Sequence, residues 1–270
     1  MYRDVILAVR DLSVRYSSTG ASIDNITFDI KRGNVLGLLG ESGSGKSTIC
    51  NAILGLLDSV AVRMSGSIRL RDKEILPLFW DGREKINGKE IGVVLQNPMT
   101  AFNPCMRIKG HFIETMCTHL CCSKRDAVLY GIDLLRKVGL PDGQKVMNSY
   151  SFQLSGGMLQ RIMIAIAIAL NPVLIIADEP TTALDTGNQK IIMELLSFVM
   201  KEYKPAMLLV SHNIEIIAAL ADDVAVMRDG CILEQGTKAK VLHEPQAAYT
   251  KELLASASYM EVVDCLKSGI

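Results

Sequence analysis

No apolar run in this chain is long enough to cross a membrane. The longest, Ile162 to Ala177, is broken by Asn171-Pro172 and falls short of the roughly 20 residues that a helical span requires. Any membrane role is therefore expected to come through a partner. An excess of either charge is lacking too: 29 basic side chains stand against 29 acidic ones. The broad positive field on which nucleic-acid binders rely is absent, so no nucleic-acid partner is expected. Proline is scarce, at 8 residues, while 49% of the 270 residues are hydrophobic, which describes a compact chain and not a disordered one. Paired CxxC motifs are missing as well. The seven cysteines (Cys50, Cys105, Cys117, Cys121, Cys122, Cys231 and Cys265) are odd in number and scattered. The opening MYRDVILAVRDL lacks the basic start and long apolar run of a secretory signal. Reduced cytosolic thiols are expected, and the Cys117, Cys121, Cys122 group reads as ordinary half-buried thiols.

Several short segments are apolar on both faces: Val35-Leu39, Ile91-Leu95, Val173-Ala177, Met207-Val210 and Val224-Met227. Such runs suit parallel strands covered by helices on both sides. Helical patterns separate them at Lys46-Leu57, Asn188-Lys201 and Ile214-Leu220, which predicts a doubly wound α/β core. Two regions depart from this pattern. The first 30 residues, and Ser67-Leu70 after them, alternate as half-exposed antiparallel strands would. From about Asn97 to Gln153 only helices are predicted, notably Ile108-His119 and Lys124-Val138, hence a helical insertion. From Gly236 the chain reads as a helical tail with little visible chemistry.

Gly40-Glu41-Ser42-Gly43-Ser44-Gly45-Lys46-Ser47 fits G-x-x-x-x-G-K-[ST], directly after one predicted strand and before a helix. Its glycines let the backbone wrap phosphates, and the amides near Gly43, Ser44, Gly45, Lys46 and Ser47 form an anion nest. The helix N-terminus adds partial positive charge. Lys46 is expected to reach the β- and γ-phosphates and Ser47 to ligate Mg²⁺. Asp178 ends an apolar strand, where α/β sheets bind ligands, and becomes a direct or second-shell partner of Mg²⁺. Glu179 is placed to polarise a water for in-line attack on the γ-phosphate. Gln96 and His212 each end an apolar strand, expected on the same sheet edge. Alone, each reads as an ordinary polar strand end; beside this loop, each reads as a sensor of Mg²⁺ or the γ-phosphate.

Leu154-Ser155-Gly156-Gly157-Met158-Leu159-Gln160-Arg161 opens an apolar helix with a hydroxyl and bare amides, a second phosphate-binding end. One loop already serves one nucleotide, so the second suggests a nucleotide shared between two chains. This stretch resembles the signature motif of ABC-type ATPases, and the likeness extends essentially from end to end. The resemblance implies a P-loop NTPase (RecA-like) parallel sheet core with an N-terminal antiparallel β-subdomain and an inserted helical subdomain. The implied layout is one ABC ATPase domain over 1–270: core and β-subdomain at 1–96 and 162–235, helical subdomain with the signature at 97–161, tail at 236–270. It implies ATP and Mg²⁺ as cofactors. Tyr16 sits where the family stacks an aromatic on adenine, although a core tyrosine is an equal reading. The ATP contacts implied are Tyr16, Gly40, Ser42, Gly43, Ser44, Gly45, Lys46, Ser47 and Thr48, with Ser155, Gly156, Gly157 and Asp185 acting in trans. Gln96 matches the Q-loop, Ala183-Leu184-Asp185 the D-loop and His212 the switch histidine. Catalysis falls to Glu179, His212, Lys46 and Gln96; Mg²⁺ to Ser47, Gln96 and Asp178.

Gln96-Asn97-Pro98 with Ala101-Phe102-Asn103-Pro104, and Asp178-Glu179-Pro180-Thr181-Thr182, are similar to the peptide/nickel importer branch. So is the tail from His243-Glu244-Pro245 to Tyr249-Thr250. The signature and Leu220-Met227 resemble nickel-import and metallophore-import ATPases most. The branch implies two transmembrane permease subunits, a second ATPase subunit (itself or a paralogue), an extracytoplasmic solute-binding protein, and a peripheral place on the cytoplasmic face of the inner membrane. Nickel or a nickel–metallophore complex is the expected cargo; oligopeptides or dipeptides are the alternative. Tyr150-Ser151-Phe152-Gln153 lacks the proline usual before the signature, and with Cys265 alone in the tail no iron–sulfur cluster is expected. A soluble, non-transport ABC ATPase would carry long coiled-coil insertions or tandem cassettes, and a metabolic P-loop kinase would leave the signature unexplained.

Overall fold

A computed structural model describes residues 4–17, 22–58, 61–76, 80–83, 85–182 and 184–256. Ala183 of the D-loop and Cys265 lie outside them. The elements begin with β1 (Val5–Tyr16), β2 (Ser22–Lys31), β3 (Val35–Leu39), α1 (Lys46–Leu54), β4 (Val62–Leu70) and β5 (Lys73–Glu74). Next come α2 (Trp80–Arg83), β6 (Ile91–Val94), α3 (Pro98–Ala101), α4 (Ile108–His119), α5 (Lys124–Lys137) and α6 (Gly143–Asn148). A short 3₁₀ turn at Ser151–Gln153 leads into α7 (Gly156–Ile168), β7 (Leu174–Asp178), α8 (Thr186–Tyr203) and β8 (Ala206–Ser211). The order closes with α9 (Ile214–Leu220), β9 (Asp223–Arg228), β10 (Cys231–Thr237), α10 (Lys238–His243) and α11 (Ala248–Ser256). The chain divides into two compact units, Met1–Pro77 with Leu208–Ile270, and Leu78–Met207.

In the first unit, β2, β1, β4 and β5 form an antiparallel sheet, with Val9 opposite Phe28 on one side and Ile68 on the other. The sequence alternation is read at Ile6, Ala8, Leu12, Val14 and Tyr16. The structure instead puts Leu7, Val9, Leu12 and Val14 fully inside and leaves Ala8 and Tyr16 half-buried, because the register shifts between Val9 and Leu12. β3 runs parallel to β9, pairing Leu36 with Asp223 and Leu39 with Val226. All five residues of β3 are buried, as a strand covered on both faces requires. β10 then pairs antiparallel with β9, so the core layer is mixed and not wholly parallel as expected. Helix α1 stops at Leu54, short of the predicted Leu57, because Gly55 takes φ 68° and returns its amide to Ala52 O.

In the second unit, β6 runs parallel to β7, with Ile91 beside Leu174 and Val94 beside Ala177. Between residues 97 and 153 the described backbone is helical apart from an isolated bridge at Arg107 and Tyr150, as predicted. The signature helix α7 is buried almost all round, the pattern of a helix enclosed by its neighbours. It crosses β6 at Gly92, where a Cβ would stand 2.5 Å from the Ala167 carbonyl oxygen. Gly92→Ala must push backbone from backbone. It is expected to destabilise the fold by about 1–3 kcal/mol, seen as a thermal midpoint lowered by several degrees. An unchanged midpoint would show that the crossing can relax. No helix among the described residues is long and apolar enough to cross a membrane.

Candidate nucleotide site

The phosphate loop leaves β3 at its carboxyl end and runs into α1. Gly45 is the helix N-cap at φ 104°, a conformation that favours glycine, and no side chain caps the first turn. Helices α5, α7, α8, α9 and α10 each receive a side-chain cap. The start of α1 thus lacks a side-chain cap, which suits an external anion, and its first turn carries no acidic residue to compete. Gly43, at φ 85°, has open space where a Cβ would stand. Gly40 is close-packed instead, since its Cβ would meet the Met227 carbonyl oxygen at 2.2 Å. Lys46 is only 6% exposed, and its Nζ donates to the carbonyls of Gly40 and Glu41, each at 2.8 Å. Ser44 Oγ lies 3.4 Å from the same ammonium. Ser42 and Ser47 are exposed, while Thr48 is half-buried in the first turn of α1.

In the same unit, Tyr16 ends β1 opposite Val62 and is half-buried. His212 follows β8 and is exposed. Its neighbours hold the turn: Ser211 Oγ accepts from the Asn213 amide at 3.0 Å, and Asn213 caps α9 by accepting from the Glu215 amide at 2.8 Å. Two short side-chain caps therefore bracket the histidine on a strand-to-helix turn.

In the second unit, Gln96 lies exposed two residues past β6. Gln160, 1% exposed in α7, donates to the Leu95 carbonyl at 3.3 Å, and the Leu95 amide donates to Met163 Sδ at 3.0 Å. The signature helix thereby holds the residue before Gln96. Ser155 caps α7, its Oγ accepting from the Met158 amide at 3.3 Å. That bond uses a lone pair and leaves the hydroxyl proton available to an anion. Gly156 is half-buried and Gly157 buried, with Asn188 Oδ1 at 2.4 Å from where a Gly157 Cβ would stand.

Asp178 ends β7 and Glu179 follows with φ 50°, a left-handed backbone uncommon outside glycine. The Glu179 carboxylate accepts from Thr182 Oγ1 at 2.6 Å. Asp185 caps α8, taking the Asn188 amide at 2.9 Å and its side-chain amide at 2.7 Å. Those two bonds, the backbone one first, hold the Asp185 carboxyl below the usual carboxylate range. The turn between Thr181 and Asp185 is tied down by Gln189, whose Nε2 donates to Leu184 O at 3.1 Å and Thr181 O at 3.3 Å. Sequence reading gave no role to Gln160, Thr182 or Gln189. A glutamine beside Arg161, in a helix whose remaining residues are apolar or glycine, was the signal for the first. Among the described residues no group of three His, Cys, Asp or Glu side chains could hold a metal ion. Cys117 and Cys122 bring their sulfurs within 3.7 Å, both as free thiols.

Residues 23–182 match the protein family described as ABC transporter. The chain is 38% identical over 266 residues to the oligopeptide transport ATP-binding protein OppD of Lactococcus lactis subsp. cremoris (strain SK11), covering 97% of this chain and 79% of that one. It is 39% identical over 252 residues to the metal-staphylopine import system ATP-binding protein CntD of Staphylococcus aureus (strain Mu50 / ATCC 700699), covering 93% of each. The chain belongs to the ABC transporter family. Its fold agrees: a dimeric ATP-binding cassette in a post-hydrolysis state with ADP and Pi superposes with a TM-score of 0.75 at 26% identity, over 86% of this chain and 98% of that one. A cbiO1 subunit from Clostridium perfringens, part of the transporter complex cbiONQ, gives 0.76 at 27% identity, over 96% and 99%. This ABC ATPase is an ATP-hydrolysing import subunit, and the uncapped α1 with the buried Lys46 ammonium suits a nucleotide's phosphates.

Proposed function

We propose that this ABC ATPase energises uptake of nickel or a nickel–metallophore complex. The observation that carries the cargo reading is the likeness to the metal-staphylopine ATPase, which runs through 93% of both chains. Peptide cargo is the second reading, favoured by comparable identity to oligopeptide and dipeptide ATPases. The ATPase does not touch cargo, so the two separate only in cells. With Glu179→Gln on the chromosome, nickel accumulation with and without an added metallophore is expected to collapse while dipeptide uptake persists. Unchanged metal uptake with lost dipeptide uptake would overturn the nickel reading and move the cargo to peptides.

The chemistry we assign rests on named groups. Lys46 and the first amides of α1 bind the β- and γ-phosphates, while Tyr16 packs the base. Ser47, Gln96 and Asp178 offer only oxygen donors, the set that suits Mg²⁺, which when bound would neutralise phosphate charge. Glu179 takes the proton of the attacking water and His212 orients that water. Positioning and electrostatics supply most of the rate. Ser155, Gly156, Gly157 and Asp185 serve the nucleotide of a second ATPase subunit, itself or a paralogue, so two ATP molecules close the pair and hydrolysis opens it.

Two permease subunits hold the pair at the cytoplasmic face of the inner membrane, and an extracytoplasmic solute-binding protein delivers cargo to them. The permease docks on the helical subdomain over 97–161. Exposed apolar side chains there support this: Met99, 48% exposed, three residues after Gln96, and Phe152, 63% exposed, three before Ser155. Phe152 stacks on Tyr150 with ring centroids 5.5 Å apart, which holds the aromatic outward one residue after Ser151, where the branch has a proline.

A further inference from the structure

Helix α11 is anchored by an acceptor from another element. Glu234 of β10 takes the amides of Gln246 at 2.8 Å and Ala247 at 3.1 Å, just before the helix begins. Those amides have no partner of their own at a helix start, so the carboxylate does for α11 what a capping side chain does elsewhere. One turn carries the buried face: Tyr249 is 6% exposed, Thr250 fully buried and Leu254 3% exposed. The Arg228 guanidinium sits over the Tyr249 ring, 4.6 Å from its centroid.

The Tyr249 hydroxyl is buried and makes no hydrogen bond of regular geometry, yet it lies against Glu41. Burial raises its proton affinity, the Glu41 amide lowers it and the Glu41 carboxylate raises it. Arg228 follows Met227, whose carbonyl limits Gly40 to glycine. The Gly230 amide donates to the Ser44 carbonyl at 3.1 Å. The turn after β9 thus supports the loop at Gly40 and Ser44, and α11 supports that turn through Arg228. The carbonyls of Gly40 and Glu41 are the two that hold the Lys46 ammonium.

We propose that Tyr249 is a positioning residue for nucleotide binding: its ring, held by the Glu234-anchored helix, packs against Arg228 and so braces the turn after β9 that fixes Gly40 and Ser44 around Lys46. The tail, which shows little chemistry in the sequence, is a strut behind the phosphate loop. This rests on the ATP-binding reading of that loop. A truncated ring would leave Arg228 and its turn free to shift, and with them the Gly40 carbonyl that holds the Lys46 ammonium.

The test measures binding of MANT-ADP to the full chain, well below its thermal transition. Tyr249→Ala is expected to weaken binding about tenfold, the size typical of a contact acting through one intermediate. Tyr249→Leu, which keeps apolar volume in the site, should show most of that loss, and Tyr249→Phe should stay within about twofold of the parent. Leu254→Ala serves as the structural control: it removes core from the same helix, lowers the thermal midpoint, and should leave affinity unchanged. Parental affinity in Tyr249→Ala or Tyr249→Leu would overturn the strut. So would a loss in Leu254→Ala equal to that in Tyr249→Leu, since general loosening would then explain both. A parent that binds no MANT-ADP would overturn the reading of the loop itself, and the strut with it.

Discussion

Glu179→Gln is expected to bind ATP as the parent does and to hydrolyse it about 10²–10⁴-fold more slowly, the range that a positioned general base contributes. The substitution is nearly isosteric. The Gln carbonyl can still accept from Thr182 Oγ1, which now lies 2.6 Å from Glu179 Oε2, so the side chain should keep its place. What is lost is a group able to take a proton from water. The backbone argues for the same role: φ 50° at Glu179 is a sparsely populated conformation for a side chain with a Cβ, at a cost of order 1–2 kcal/mol. The surrounding turn over-determines it, through the Thr182 amide returning to Glu179 O at 3.3 Å and the Thr182 hydroxyl on the carboxylate. Such strain directly after a strand-end aspartate aims the carboxylate instead of relaxing it. Phosphate release with ATP in excess reads the rate, and size-exclusion chromatography with ATP reads the closed pair expected to accumulate. A parental rate would remove Glu179 from the role of base and leave water positioning to His212 alone.

What the sequence disclosed and what it hid divide along a physical line. The loop from Gly40 to Ser47 was legible because its chemistry is local: glycines where the backbone turns left-handed at Gly43 and Gly45, then a helix with no cap of its own. The strands β3, β7, β8 and β9 were legible as short runs apolar on both faces, within a residue or two at their ends. Strand β10 was not. Cys231–Thr237 is half-exposed along its length and ends in Gly236-Thr237, so neither continuous apolarity nor a clean alternation marks it. The signature motif was read from Ser155 to Arg161, yet the bond from Gln160 to the Leu95 carbonyl, which ties that motif to the approach of Gln96, joins residues far apart in sequence. The same holds for Glu234 and the amides before α11, and for Tyr249 against Glu41. Local pattern exposes groups that act on a ligand. Groups that hold those groups in place are set by tertiary packing and surface only with coordinates.

Lys46→Ala is expected to weaken ATP binding about 100-fold while the fold survives. The ammonium is 6% exposed, and its two short bonds run to neutral carbonyls, those of Gly40 and Glu41, with Ser44 Oγ farther off at 3.4 Å. Dipoles of that kind hold a buried cation without cancelling its charge. A triphosphate entering there exchanges carbonyl partners for oxyanions, and a hydrogen bond to a charged group contributes about 1.5–3 kcal/mol. Loss of one such bond, near the top of that range, amounts to about 2.8 kcal/mol, hence the factor of 100. The defect should be larger for MANT-ATP than for MANT-ADP, because Lys46 is assigned to the β- and γ-phosphates and the amides of α1 remain for the rest. Lys46→Arg should not rescue it: a planar fork cannot replace a compact ammonium between two carbonyls only 2.8 Å away. Circular dichroism should be unchanged in Lys46→Ala, since Glu41, Ser42 and Gly43 are exposed and water can reach the Glu41 carbonyl left behind. An Ala variant that binds MANT-ATP within threefold of the parent would mean that the amides of α1 carry the phosphates unaided.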